Sequence, residues 1–105
     1  MIDPYDVVHE NVIAAALVDV NRIRAENNVA VIEKLREGIP QDSGSCPIAT
    51  SLQDIWPRAL MSVGPVQISA YAYALNKPTF HLYKVPSSLI IFMREFDQSC
   101  NSGTH

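Results

Sequence analysis

The stretch YDVVHENVIAAALVDVNRIRAENNVAVIEKLRE, residues 5–37, decides the fold, and it holds neither proline nor glycine. Projected at about 3.6 residues per turn, Tyr5, Val12, Ile13, Ala16, Leu17, Val20, Ile23, Val31 and Leu35 fall on one broad face. That is the spacing of an amphipathic helix. A weaker second face carries Val7, Ala14, Val18, Ala25 and Ile32. A continuous helix of about 32 residues would be roughly 48 Å long, whereas a domain of this size is about 26 Å across. Such a helix overhangs its own domain, and the overhang needs a partner surface.

Two readings of the stretch compete. In the favoured one the helix is continuous and packs on a copy of itself. Ile13, Val20 and Asn27 then repeat at heptad position a, with Ala16, Ile23 and Ala30 at d, and the lone Asn27 sets the register. Ile13, Ala16, Val20, Ile23 and Asn27 are on this view the residues of a homo-oligomer interface, most simply a dimer. In the other reading Glu26-Asn27-Asn28 breaks the run, because Asn tolerates the left-handed conformation at a helix end and caps the next N-terminus.

Beyond the opening stretch, Gly38-Ile39-Pro40 terminates the helix and residues 41–45 form a polar linker. Ser45 or Cys46 caps a second helix with Pro47 in its first turn, limited to about Trp56 by Pro57. Ala59 to Val63 reads as a short strand, Val66 to Ala74 as an alternating one and Thr79 to Val85 as its return after a turn at 75–78. The simplest hairpin faces Val66, Ile68, Phe80 and Leu82 to the core. It places Tyr71, Tyr73, His81 and Tyr83 together on the opposite face, as a partner-binding set rich in rigid, polar-tipped aromatics. Pro86-Ser87 opens a last helix with Leu89, Phe92, Met93 and Phe96 as its buried stripe. The fold class is therefore α+β: a long N-terminal helix, a short helix, a two- or three-stranded antiparallel sheet and a C-terminal helix. We expect one domain over 1–105, with 1–38 as the oligomerising helix, 46–97 as a small α+β core and 98–105 as a flexible tail.

Composition bounds the function. Of 105 residues 48% are hydrophobic and 18% charged, which marks a folding chain, not a disordered one. The net charge is −3, so the basic footprint of a nucleic-acid binder is missing and nucleic acid is an unlikely partner. The first apolar run follows Asp3, Asp6 and Glu10 without a basic region, unlike a signal peptide. No apolar run approaches the roughly 18 residues that span a bilayer, so a cytoplasmic location with free thiols is expected for Cys46 and Cys100.

Candidate chemistry is sparse. Cys46 at a helix start could have its thiol activated, with His81 or His9 as base. Without a third group the reading of a small packed residue prevails, and no catalytic residue is assigned. Cys46, Cys100, His9 and His81 match no zinc spacing, so no metal or cofactor is expected. Cys46-Pro47-Ile48-Ala49 before a short helix, Ser62-Val63-Gly64 at a strand end and a last helix closing on Phe96-Asp97 resemble small uncharacterised proteins of actinobacteria and their phages. The resemblance covers about the second half of the chain. Gly soon after the Phe-Asp is replaced here by Gln98-Ser99. It implies no activity but does imply a small phage-encoded accessory protein. The expectation from sequence is a non-enzymatic, self-associating module that binds another protein. The alternatives are a nucleic-acid-binding accessory protein presenting Arg58, Lys77, Lys84 and Arg94, and a small thiol-dependent enzyme.

Overall fold

Asn27 and Asn28 end the first helix. The computed structural model describes residues 1–74 and 77–102, leaving aside the side chains of 73, 74, 77 and 100–102. In it α1 spans Glu10–Glu26, capped at its start by His9, whose Nδ1 accepts from the Asn11 N–H. Asn28 takes the left-handed conformation (φ 61°). Its N–H donates to the Ala25 carbonyl (3.1 Å) and the Val29 N–H to the Arg24 carbonyl (2.9 Å), the paired bonds of a Schellman terminus. The continuous helix over 5–37 is thus corrected: α1 is 17 residues long, and the chain after it runs irregularly, without a second helix to make a hairpin. The overhang that called for a dimer does not exist.

Within residues 29–37 several backbone groups are satisfied by side chains from other parts of the chain. The Asn21 amide holds Ile32 at both ends, accepting from its N–H (2.8 Å) and donating to its carbonyl (2.9 Å). The Leu35 N–H donates to the Tyr5 hydroxyl and the Arg36 N–H to the Ser51 hydroxyl. Arg24, 3% exposed, donates to the carbonyls of Ala30 and Ser51 and pairs with Asp54 at 3.1 Å. Gly38 does not cap a helix. It pairs with Ile2, and a Cβ there would lie 2.3 Å from the Pro47 nitrogen.

α2 spans Pro47–Leu52, with Cys46 as N-cap, and continues as one 3-10 turn over Gln53–Ile55. β1 (Leu60–Val63), β2 (Gln67–Ala74) and β3 (Lys77–Lys84) form an antiparallel sheet in the order β1-β2-β3. α3 spans Ser87–Ser102. The tail predicted from Gln98 is therefore helical as far as Ser102, tied in by the Ser99 hydroxyl, which donates to the carbonyls of Val7 and Glu95. The fold is α+β, as the sequence implies.

The core lies between the helices and one face of the sheet. Ile13, Ala16, Val20 and Ile23 of α1 meet Leu89, Phe92 and Phe96 of α3, Ile48 and Leu52 of α2, and Met61, Val63, Ile68 and Ala70 of the sheet, all buried. Phe92 and Phe96 stack at 5.9 Å. Four of the five residues assigned to an oligomer interface are consequently enclosed in the chain's own core and have no surface to offer. Asn27, the fifth, is the C-cap of α1.

Candidate functional site

Directly paired residues of an antiparallel sheet share a face, so the register decides which side chains meet. Ile68 pairs with Tyr83, Ala70 with His81 and Tyr71 with Phe80. β3 is therefore turned over relative to the expected hairpin. Phe80 and Leu82 point away from the core, 58% and 55% exposed, while His81 and Tyr83 lie on the core side. The predicted set of four splits accordingly. Tyr71 is on the outer face with Phe80. Tyr73 pairs through its backbone with Pro78, and its side chain lies outside the described residues. His81 and Tyr83 instead flank Trp56, whose ring centroid is 5.1 Å from the first and 5.6 Å from the second. The Tyr83 hydroxyl donates to Asn27 Oδ1 (3.1 Å), linking the sheet to the end of α1.

What the register assembles on the outer face is a row that crosses all three strands. Leu60 pairs with Tyr71, which pairs with Phe80. The Tyr71 and Phe80 rings meet edge to face at 6.0 Å, a favourable geometry. Leu60 is 74% exposed, and Leu82 stands in the neighbouring row opposite Ser69, itself opposite Ser62. Sequence reasoning found Tyr71 but gave Leu60, Phe80, Leu82 and Trp56 no site role. The signal was the parity of the turn. A connection of two or four residues after Ala74 pairs even-numbered residues with odd ones, and so cannot put Ile68 and Phe80 on the same face.

The thiol of Cys46 is free and buried. It accepts from the Ala49 N–H at 3.4 Å. Burial pushes its pKa up, outweighing the backbone N–H groups at the helix start that pull it down. A cavity of about 140 Å³ beside it is lined by Asp42, Phe92, Met93 and Asp97 among others. Among the described residues no three of His, Cys, Asp and Glu converge as metal ligands would, and no helix is long and apolar enough to cross a membrane. Comparison with known proteins gave no matching family model, no matching curated protein and no matching solved structure.

Proposed function

We propose that the chain is a non-enzymatic interaction module of the cytoplasm that binds another protein through the outer face of its sheet. The observation that carries this reading is the uncovered Leu60–Tyr71–Phe80 row with Leu82 beside it. Apolar side chains scattered singly over a surface need no explanation, but a contiguous exposed set marks a binding site. The burial of Cys46, which pushes its thiol pKa up, supports a non-enzymatic role. The resemblance of the second half to actinobacteriophage proteins favours a host protein as the partner. Self-association through α1 is not part of the proposal, because its apolar face is spent on the core.

The test is a comparative pull-down from the natural host cell with the native chain and with Phe80→Ser/Leu82→Ser, each checked for fold by circular dichroism. A protein retained by the native chain and lost from the variant is the expected result. Identical captures by both would sink the proposal.

A further inference from the structure

Residues 39–45 form a loop closed on itself. The Ile39 N–H donates to the Ser45 carbonyl at 2.8 Å, which joins the loop's ends. Inside it the Ser45 N–H donates to the Asp42 carbonyl and the Gly44 N–H to the Asp42 carboxylate. These bonds travel with the loop, so it can move as one piece. No residue from Ile39 to Ser45 is buried, and Gln41, Asp42 and Ser43 are exposed. Lifting the loop therefore takes none of its own side chains out of the core, the condition for a local opening below the global stability. The residues on either side, Gly38 and Cys46, are buried and anchored, one by its bridge to Ile2 and the other as the N-cap of α2.

The loop's ties to the body include the Gln41 N–H, which donates to Asp97 Oδ1 on α3 (2.9 Å). They include also the Ser43 carbonyl, which accepts from the Val63 N–H of β1 (2.9 Å). Held in this position, Gln41 takes the left-handed conformation (φ 59°), which a residue with a Cβ rarely adopts. Packing beneath the loop is incomplete. Gln41, Asp42 and Ser43 line one side of the cavity of about 140 Å³, and Cys46, Phe92 and Met93 line it from the body. We infer that residues 39–45 are a flap, latched by Asp97, that opens as a unit between Gly38 and Cys46 and gates the Cys46 thiol to small electrophiles. Opening relieves the burial that raises the thiol's pKa and leaves the backbone N–H groups of Ile48 and Ala49, which lower it. The open form is thus the accessible and the more nucleophilic one. The gated step is a displacement. The thiolate sulfur bonds to the electrophilic carbon, the leaving group departs as an anion, and the thiol proton goes to water. This flap lies away from the outer face of the sheet, and the inference stands independently of the proposed function.

The test is the rate at which iodoacetamide, a small neutral electrophile, alkylates Cys46 in the full chain. Peptide mass spectrometry follows the label at Cys46, so Cys100 stays in place. The native chain should react at least about tenfold more slowly than a free peptide of residues 43–49. A flap exposes little surface, so that rate should change by less than about twofold between 0 and 1 M urea. Access through global unfolding would raise it at least about fivefold over the same range. Asp97→Ala removes the latch and should speed labelling at least about tenfold, still without dependence on urea. Asp97→Asn removes the charge, which also raises the thiol's pKa, but keeps an oxygen for the Gln41 N–H. Its rate should stay nearer the native one than that of Asp97→Ala. Native labelling as fast as the peptide's would mean that nothing covers the thiol. A rate that climbs with urea along the slope of global unfolding would mean that no local opening reaches it. Asp97→Asn as fast as Asp97→Ala, or Asp97→Ala as slow as native, would mean that the bond to Gln41 is no latch. Each of these results overturns the inference, and the urea dependence of the native chain decides it without any variant.

Discussion

At the scale of single residues, Asn27 has changed meaning. On a continuous coiled helix it would be a buried polar residue whose replacement by Val stabilises the chain and loosens its register. In the structure its Nδ2 donates to the Ile23 carbonyl (2.8 Å) and its Oδ1 accepts from Tyr83. Asn27→Val should therefore lower the melting temperature, by about 1–3 kcal/mol of stability for two lost hydrogen bonds, with no change of oligomeric state. A rise in melting temperature would contradict the terminus described above. Asp54 gives a second residue-scale prediction. Its carboxyl is held down to about 2, chiefly by the hydrogen-bonded Arg36 guanidinium, with Arg24 adding to it. The folded value lies below the ordinary one of about 3.9, so this stabilisation is complete above that pH and is lost as pH falls toward 2. Asp54 is 41% exposed, and solvent screening limits the contribution to about 1 kcal/mol or less. In urea unfolding between pH 2 and 6, Asp54→Asn should be less stable than native at pH 6 and converge on it near pH 2. A gap that stays constant over that range would mean the ion pair is not its source.

At the scale of elements, what was legible in the sequence and what was not divides by the reach of the signal. Pro47, Pro57 and Pro86 fix where α2 and α3 begin or end, and their effect on backbone is local. The alternation of β2 is equally local. The end of α1 was in view as Asn27-Asn28, but helical periodicity in Val31, Ile32 and Leu35 outweighed it. Val31 is in fact exposed, while Ile32 and Leu35 are half-buried and buried, their backbone held by Asn21 and Tyr5 from elsewhere in the chain, contacts that no local pattern encodes. β3 shows the same limit. Thr79-Phe80-His81-Leu82-Tyr83 carries Phe80 and Leu82 in one phase and the more polar Thr79, His81 and Tyr83 in the other, and hydrophobicity alone ranks Phe80 and Leu82 inward. The turn parity and the Trp56 stacking partner, 25 residues before His81, reverse that ranking. Gly38 marks a junction between elements in the same way. Gly38→Ala would drive a methyl group into the backbone between Cys46 and Pro47. It should cost about 2 kcal/mol or more by displacing the start of α2, read as a lower urea midpoint. A midpoint unchanged from native would show that the Ile2–Gly38 bridge and α2 do not meet there.

At the scale of the whole molecule, the chain is a two-layer body with helices on one face of a sheet and solvent on the other. Its principal extents are 47 × 26 × 22 Å. β1 pairs only with residues 68–71 of β2, so beyond that point β2 and β3 run on as a two-stranded ribbon. Two phenylalanines separate this arrangement from a three-layer one in which α1 covers the outer face of the sheet. Phe92 is fully buried between the helices and the sheet, whereas Phe80 is 58% exposed on the outer face. Phe92→Ala removes a packed ring and leaves a cavity, and should cost about 3–5 kcal/mol. Phe80→Ala removes a ring whose open side faces water and should fall within about 1 kcal/mol of native, most of it the Tyr71 contact. The comparison needs only urea midpoints of the two variants with the slopes held equal. Two layers require the costs to differ by at least about 2 kcal/mol in that order. Similar costs would mean that Phe80 is core, that the outer face is covered in solution, and that the surface on which the proposed binding rests is not available.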